Sequence, residues 1–297
     1  MSFIKIRRKR ITIPFSFVGM RCTYQLLTVL FFLSGFQAHS QIRLIVLDQY
    51  NLKKGDTIRA NLSSHVHLES ESAPRPTNTL STEIRLLQKA KKINLNPFIT
   101  ADHTLLKYQP QLTGAAFLEI SQRSLGEYSK EEYLTNLKEQ GLVPIAKQLE
   151  SILNGKDRVK DTAIFYTKSL INIEKNKPFS KEPITNDHEI TLKSNPEGAS
   201  YGDQLSALLT LGGKPLPNAP VVLYVKAKSG NIISELLSSD ADGMLNIKLD
   251  IEGIYFLQHL FIANVSTSNE VSSLWTTFSF EFQNTVHKRD TYSEFGF

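Results

Sequence analysis

Short apolar segments separated by turns at intervals of about ten residues dominate residues 188–282. Seven segments have strand length: Glu189–Leu192, Gln204–Leu211, Val221–Lys226, Ile232–Leu237, Met244–Leu249, Tyr255–Ile262 and Leu274–Phe282. Many short strands with regularly spaced turns are typical of an antiparallel sandwich. The pattern therefore predicts a C-terminal β-sandwich domain over residues 188–282, followed by a polar tail at 283–297.

Residues 41–180 are predicted to form a second, N-terminal β domain. Gly55-Asp56 is a turn signal, and Ile58, Ala60 and Leu62 alternate as in a half-buried strand. The same arrangement recurs over Gly202–Leu209, which favours two sandwiches that each open with a tight turn; a chance match is the alternative. Further strands are predicted at 41–47, 83–88, 104–108 and 115–121.

A small helical insertion is predicted at residues 129–154. Ser129 followed by Glu132 is a capping box, which starts a helix that ends near Gly141. Pro144 opens a second helix. Its apolar stripe is predicted to face the core and consists of Ile145, Leu149, Ile152 and Leu153. Residues 174–187 are polar and are expected to form the linker or the final crossover between the halves. The fold class is thus mainly β, with two immunoglobulin- or transthyretin-like sandwiches and one helical insertion.

Residues 1–40 are predicted to be a signal peptide. They contain six basic residues and no acidic one, then an apolar stretch at 26–33, and they end in Ala38-His39-Ser40. A basic start, a short apolar core and a small-x-small exit are the parts of a secretory leader. The core is shorter than the roughly 20 residues that span a bilayer. Cleavage is expected before Gln41, and Met20 is an alternative start that gives a leader of ordinary length.

The mature chain that export would leave is close to neutral. Removing the six leader residues from the 34 Lys and Arg leaves 28, against 29 Asp and Glu, a net charge near −1. The basic balance of the whole chain therefore gives no reason to expect nucleic acid as a partner. Cys22, the single cysteine, lies in the leader, so the mature chain has no disulfide and no thiolate ligand. No apolar run after the leader has the length of a transmembrane segment.

The turns of the second half follow a recognisable order, through Gly202-Asp203, Gly213–Val221, Ser239–Gly243, Glu252–Tyr255 and Leu274–Phe280. This order resembles the NikM-like family of exported domains of unknown function. The stretches Ser129–Leu142 and Phe165–Ser169 also resemble that family. The resemblance implies an all-β periplasmic binding protein, associated with nickel uptake and without established enzymatic activity. Family members often begin with a histidine beside an aromatic residue, whereas this mature chain would begin at Gln41.

The best candidate metal ligands are His65 and His67, which follow the first predicted core strand. Glu69 and Glu71 come next along the chain. If this segment is extended, the alternation of side chains places all four on one face. Imidazole suits nickel, copper or zinc, and carboxylates can complete the coordination sphere. The sequence thus predicts a divalent metal such as nickel or zinc at His65 and His67; solvated residues at a strand end are the alternative.

The other histidines of the mature chain carry weaker expectations. His188 and His287 are expected at the surface. His103 and His259 could approach the predicted metal site only through tertiary folding.

Two further motifs are expected to be structural. Asp240–Gly243 has the opening spacing of a calcium loop, but Leu245 stands where such a loop needs a glycine, so a hairpin turn is predicted. Trp275, the single tryptophan, is expected to cover the edge of the core, with contact to a ligand as the alternative.

No signature of a known enzyme class occurs. The sequence lacks a G-x-S-x-G elbow, an H-E-x-x-H helix, a P-loop and a dinucleotide fingerprint. We therefore expect an exported, non-enzymatic binding or accessory module of the periplasm or cell envelope, which handles a divalent metal or an envelope protein. The alternatives are a structural or adhesive envelope module that binds protein or glycan without metal, and a hydrolase with a dispersed active site.

Overall fold

Three β-sheets and two helices make up the part of the chain that the structure describes. The computed structural model describes residues 44–61, 79–89, 91–100, 105–174, 185–266 and 269–284, all within one compact unit, residues 39–297. The strands are β1 (Val46–Leu47), β2 (Asn51–Leu52), β3 (Ile58–Asn61), β4 (Thr79–Gln88), β5 (Lys91–Asn94), β6 (Leu105–Tyr108), β7 (Gly114–Ser129), β8 (Arg158–Ile173), β9 (His188–Leu192), β10 (Gln204–Leu211), β11 (Lys214–Pro215), β12 (Pro220–Ala227), β13 (Ile232–Ser238), β14 (Met244–Lys248), β15 (Gly253–Val265) and β16 (Glu270–Phe282). The helices are α1 (Lys130–Glu139) and α2 (Val143–Ile152), and a 3-10 helix spans Asn96–Phe98. The predicted leader lies outside the described residues.

Strands from both halves of the chain are hydrogen-bonded into one nine-stranded sheet. Its order is β13-β12-β15-β16-β8-β7-β4-β5, with β2 also pairing with β8. β8 and β16 are parallel over residues 160–169 and 270–279, and this pair joins the antiparallel strands of the first half to those of the second. The boundary between two domains at residues 180–188 stays a prediction. In the structure, strands from before and after this boundary are hydrogen-bonded in one sheet.

The large sheet is covered on both faces. On one face, Leu257, Phe278 and Phe280 pack against the sheet of β9, β10, β11 and β14. On the opposite face, the sheet β1-β3-β6 covers the strands of the first half, and α1 and α2 cover β12, β15 and β16. The side chains of β12 alternate between the two faces. Leu223 belongs to the core between the sheets, whereas Val222 and Tyr224 belong to the helical core, which lies between the large sheet and the two helices. The prediction of a mainly β, sandwich-type fold with a helical insertion is confirmed.

The strand predictions were most complete in the second half. All seven strands predicted over 188–282 occur, and β11 adds two residues to them. In the first half, β8 was not predicted, although it is among the longest strands and lies in the middle of the large sheet. The apolar run at 41–47 contributes only the two residues of β1 to a strand within the described part of the chain.

The two helices begin as their sequence predicts. The Ser129 Oγ accepts a hydrogen bond from the backbone N–H of Glu132 at 3.1 Å, which is the N-cap of α1. In α2, Ile145, Leu149 and Leu153 are buried as expected. The inclusion of Ile152 in that stripe is wrong: the residue is 47% exposed, and the buried positions of the helix are Ile145, Ala146 and Leu149.

Buried polar contacts hold α1 on the large sheet. The Tyr133 hydroxyl donates to Asp161 Oδ2 at 3.1 Å, and the Ser273 hydroxyl donates to Asp161 Oδ1 at 2.8 Å. Trp275 donates from Nε1 to Ser273 Oγ at 3.1 Å and stacks on Phe165. Burial, and then the Asp161 charge, raise the pKa of the Tyr133 hydroxyl. The expectation that Trp275 packs on the core is confirmed.

The two Gly-Asp turns share one hydrogen-bonding pattern. Asp56 N–H donates to the Lys53 carbonyl at 3.1 Å, while Lys53 N–H donates to Asp56 Oδ2 at 2.8 Å. Asp203 makes the same two bonds with Ser200, at the same two distances. In each case the preceding glycine has a left-handed backbone, with φ of 94° and 86°. The repeated sequence signal therefore encodes the same local turn twice.

The turn after Asp240 connects two sheets. Asp240 Oδ1 accepts hydrogen bonds from the N–H groups of Asp242 and Met244, at 2.9 and 2.8 Å, and Gly243 is left-handed with a φ of 73°. The predicted turn is therefore present. The hairpin is wrong, because β13 belongs to the large sheet and β14 pairs with β10 in another sheet.

Candidate functional site

Three charged side chains form one row across β4, β7 and β8. Arg85 lies opposite Glu119, and Glu119 lies opposite Lys168 in the register of the sheet. Alternation places them on the face that packs against the second sheet. The residues two positions away along the same strands belong to the apolar core: Leu87, Phe117 and Leu170. The charged row therefore lies directly at the boundary of that core.

A fourth charge, Glu189 on β9, completes the buried charge cluster of Arg85, Glu119, Lys168 and Glu189. Lys168 Nζ contacts Glu189 Oε1 and lies 3.5 Å from Glu119 Oε1. Arg85 Nη2 lies 2.8 Å from Glu119 Oε2. Lys168, Glu119 and Glu189 have side chains that are 3%, 0% and 2% exposed. The two carboxylates and the two cations neutralise each other. This matters because burying a single unpaired charge would cost several kcal/mol of desolvation free energy.

The segment that precedes β9 is fastened to this cluster. The Thr185 hydroxyl and the Asn186 Nδ2 both donate to Glu119 Oε1. The backbone N–H groups of Thr185 and Asn186 donate to Glu189 Oε2 at 2.8 and 2.9 Å. Arg85 also donates to the Asn186 side-chain oxygen at 3.3 Å. The cluster thus attaches the chain entering β9 to three strands of the large sheet.

The carboxyl group of Glu119 is held in its charged form. Burial alone would raise its pKa, but the Lys168 charge, the Thr185 hydroxyl and the Arg85 charge outweigh that effect, so the pKa lies below its ordinary value. The folded state therefore stabilises the ionised form of Glu119.

A pair of buried histidines lies beside the cluster along β9. His188 Nδ1 is 3.1 Å from the Thr210 carbonyl oxygen, and His188 Nε2 is 2.8 Å from His259 Nδ1. Since a carbonyl oxygen only accepts, His188 donates from Nδ1 and accepts at Nε2, which assigns the proton of the second bond to His259 Nδ1. The expectation of His188 at the surface is wrong, because its position on β9 faces inward with Ile190 and the residue is 0% exposed.

Both imidazoles are kept neutral. Burial lowers the pKa of His188 to about 4, although the Thr210 carbonyl acts in the opposite direction. Burial, followed by the neighbouring His188, lowers the pKa of His259 well below its usual value. The pair therefore resists protonation in the folded protein.

The structure brings together a different set of residues from those predicted as a site. His65, His67, His103 and His287 lie outside the described residues. Within the described ranges, no three His, Cys, Asp or Glu side chains are grouped so that they could hold a metal ion. Among these residues there is also no helix with the length and apolar character needed to cross a membrane.

Sequence reasoning missed the buried charge cluster. The alternation of β7 placed Glu119 on the same side as Phe117, which was a usable signal for a carboxylate at an inward position. Its partners Lys168 and Glu189 are distant in sequence, so their convergence could not be read from local spacing.

An open polar hollow of about 440 Å³ lies where β1 ends and β3 begins. Asp56 contributes to its wall, although one oxygen of that carboxylate already accepts from Lys53 N–H. The residues that line the hollow include both acidic and basic side chains: Asp48, Gln49, Gly55, Asp56, Thr57 and Arg59. The hollow is therefore an accessible polar recess, unlike the closed charge cluster.

These observations define a layered β-sandwich protein whose buried charges and histidines join its layers. The chain belongs to the family described as "Domain of unknown function (DUF4198)", whose model matches residues 36–262. That description names no ligand, so the association with nickel uptake implied by the NikM-like resemblance stays a prediction. None of the curated proteins matches the chain.

Similarity to solved structures is low. A tetra-tandem repeat from the extending region of a large adhesion protein is 12% identical, with a TM-score of 0.23; the match covers 81% of this chain and 48% of that one, so this chain spans about half its length. The D0-D1 domain of intimin is 8% identical, with 80% and 97% covered and a TM-score of 0.19. A two-domain fibronectin type-III segment of chicken tenascin is 8% identical, with 79% and 97% covered and a TM-score of 0.20. At such TM-scores these likenesses support no conclusion about function.

Replacing Lys168 with methionine should destabilise the protein strongly. The substitution leaves Glu119 and Glu189 buried with their central cation removed, a change that typically costs about 3–5 kcal/mol. Urea denaturation should show this loss in the free energy of unfolding. The matched control is Lys228→Met, which breaks the pair with Glu252 where the lysine side chain is 55% exposed, and should cost less than about 1 kcal/mol. Equal losses in the two variants would contradict the assigned role of the cluster.

The histidine pair should make stability depend on pH. An unfolded imidazole titrates near 6.5 and folded His188 near 4, so the unfolded state binds more protons between these values. The contribution of His188 to the free energy of unfolding is on the order of 3 kcal/mol. It is fully present above pH 6.5 and is lost as the pH falls towards 4. Denaturation across this range should show the slope, and the double variant His188→Gln, His259→Gln should flatten it. An unchanged slope in that variant would refute the assignment.

Proposed function

We propose that this protein is an exported, non-enzymatic binding module in which the layered β structure is a scaffold and ligands bind at its surface. The observation that carries this proposal is the state of the buried titratable groups. Lys168, Glu119 and Glu189 are closed from solvent and bonded to one another, and the two buried histidines bond to each other. Because these buried groups hold the layers together, the ligand binds at the exposed segments of the chain.

The ligand of the module is a divalent metal, nickel or zinc, bound by His65 and His67. Two imidazoles one residue apart, followed by two glutamates, match the ligand preferences of these metals. The strand that leads into this segment, β3, is the middle strand of its sheet, and its Ile58 and Ala60 are 1% and 0% exposed. The histidines thus follow a firmly held strand. The NikM-like resemblance also supports nickel.

Export predicts that the mature protein begins at Gln41. Signal peptidase inspects the small residues Ala38 and Ser40, so leucine at both positions should abolish cleavage there. The matched control is His39→Leu, which alters only the residue between them and should leave cleavage intact. Mass spectrometry of the protein recovered from the periplasmic fraction reads the start directly. Uncleaved protein retained in the cytoplasm would disprove export.

Metal binding is tested on the form that starts at Gln41, fully stripped of metal. Isothermal titration with nickel and with zinc should give binding that the double variant His65→Ala, His67→Ala loses, and the metal should raise the melting temperature only while those histidines are present. The control His287→Ala should bind as the unaltered protein does.

The outcomes separate the alternatives. Binding that survives the double variant would overturn His65 and His67 as ligands. No binding of either metal by the unaltered protein would overturn metal handling altogether and favour a structural or adhesive envelope module.

A further inference from the structure

β13 is an open edge of the large sheet. It pairs with β12, and no strand in the described part of the chain pairs with its other side. Ala227 N–H donates to the Asn231 carbonyl, and Ser239 N–H donates to the Ala219 carbonyl. Because bonded and non-bonded pairs alternate in an antiparallel ladder, the odd-numbered residues of β13 bond to β12. The backbone groups of Ile232, Ser234, Leu236 and Ser238 therefore point outward along the edge.

This edge is also apolar on both faces. Ile233 and Leu236 are 49% and 50% exposed. Ile232 packs at the margin of the helical core, and Leu237 packs at the margin of the core between the sheets. Both cores thus extend to the edge strand and end there, next to unpaired backbone groups.

The opposite edge of the same sheet is protected. β5 is four residues long, and its exposed Lys91 and Lys92 follow Lys89. Short edge strands with lysines are a common protection against edge-to-edge pairing. β13 is longer and carries a single charge, Glu235, so the protection found at one end of the sheet is missing at the other.

We propose that β13 pairs antiparallel with β13 of a second copy of this chain, around a two-fold axis at Ser234. In this register Ile232 lies opposite Leu236 of the second copy, and the reverse, on the helical face of the sheet. Such cross-strand apolar pairs stabilise sheets, and the outward backbone groups of both strands become paired. The interface is isologous, since each strand presents the same surface to the other.

The single charge selects this register over its neighbour. A two-fold axis at Glu235 would place two carboxylates directly opposite, about 5 Å apart between Cβ atoms, which destabilises the pair. With the axis at Ser234, each Glu235 lies opposite Ile233 of the other copy. An axis at Leu236 would set Ile232 against Asp240 and Ile233 against Ser239, and would keep only the apolar pair that Leu236 makes with its own copy.

The assembly closes at two copies. Within the described residues, the large sheet offers one open apolar edge, and its other edge, formed by β5, is protected by lysines, so the joined sheet ends at both sides in a protected strand. This inference does not depend on metal binding.

The oligomeric state of the protein starting at Gln41 tests the pairing. Sedimentation velocity should show a concentration-dependent dimer for the unaltered protein. Ser234→Pro removes an outward N–H that is not bonded to β12, and Leu236→Lys places a charge on the edge; both should give folded monomers. The control Ile152→Lys alters a similarly exposed residue on α2 and should remain dimeric. A monomer at every concentration, or a dimer in both edge variants, would overturn the proposal.

A disulfide test fixes the register. The mature chain has no cysteine, so Ser234→Cys introduces one thiol that meets its own copy at the axis. Cα atoms of such a bonded pair lie about 5.5 Å apart, within the range of a disulfide. Under mild oxidation this variant should become a covalent dimer, while Ser238→Cys, which lies away from the axis, should not. Cross-linking of Ser238→Cys alone would overturn the register.

Discussion

The parallel pairing of β8 with β16 is the interaction on which the layered structure depends. It joins residues 160–169 to residues 270–279, and through it two antiparallel halves become one sheet. Closing so long a loop costs entropy that only extensive pairing and packing can offset. The packing on both faces follows from the same register, which sets Trp275 beside Phe165 on the helical side and Phe278 beside Lys168 on the other.

The buried charge cluster strengthens this junction. Lys168 lies in the strand that makes the parallel pair, and it contacts one carboxylate within the sheet and one from β9. A slip of β8 by a single residue would turn Lys168 to the opposite face and leave Glu119 and Glu189 buried without their cation. The ionic contacts therefore penalise the wrong registers more than they stabilise the correct one.

The sequence predicts local structure well here and long-range structure poorly. Ser129 caps α1, and the two Gly-Asp turns form as expected, because the bonds that make them lie within a few residues. β8 escaped prediction because its charged residues, such as Lys168, interrupt the apolar pattern and are neutralised by distant partners. His188 was misplaced for the same reason, since its burial depends on His259 on another strand. The predicted ligands His65 and His67 lie outside the described residues, so that part of the site stays a prediction.

The parallel junction also has a consequence for the order in which the chain is made. Ribosomes release a chain from its amino end, so β8 emerges long before β16 is synthesised. During that interval β8 has β7 on one side, and β16, which pairs with residues 160–169 on the other side, is not yet made. A nascent chain with an unpaired central strand is exposed to pairing with the wrong partner. Completion of the last strand is thus the event that ends this vulnerable period.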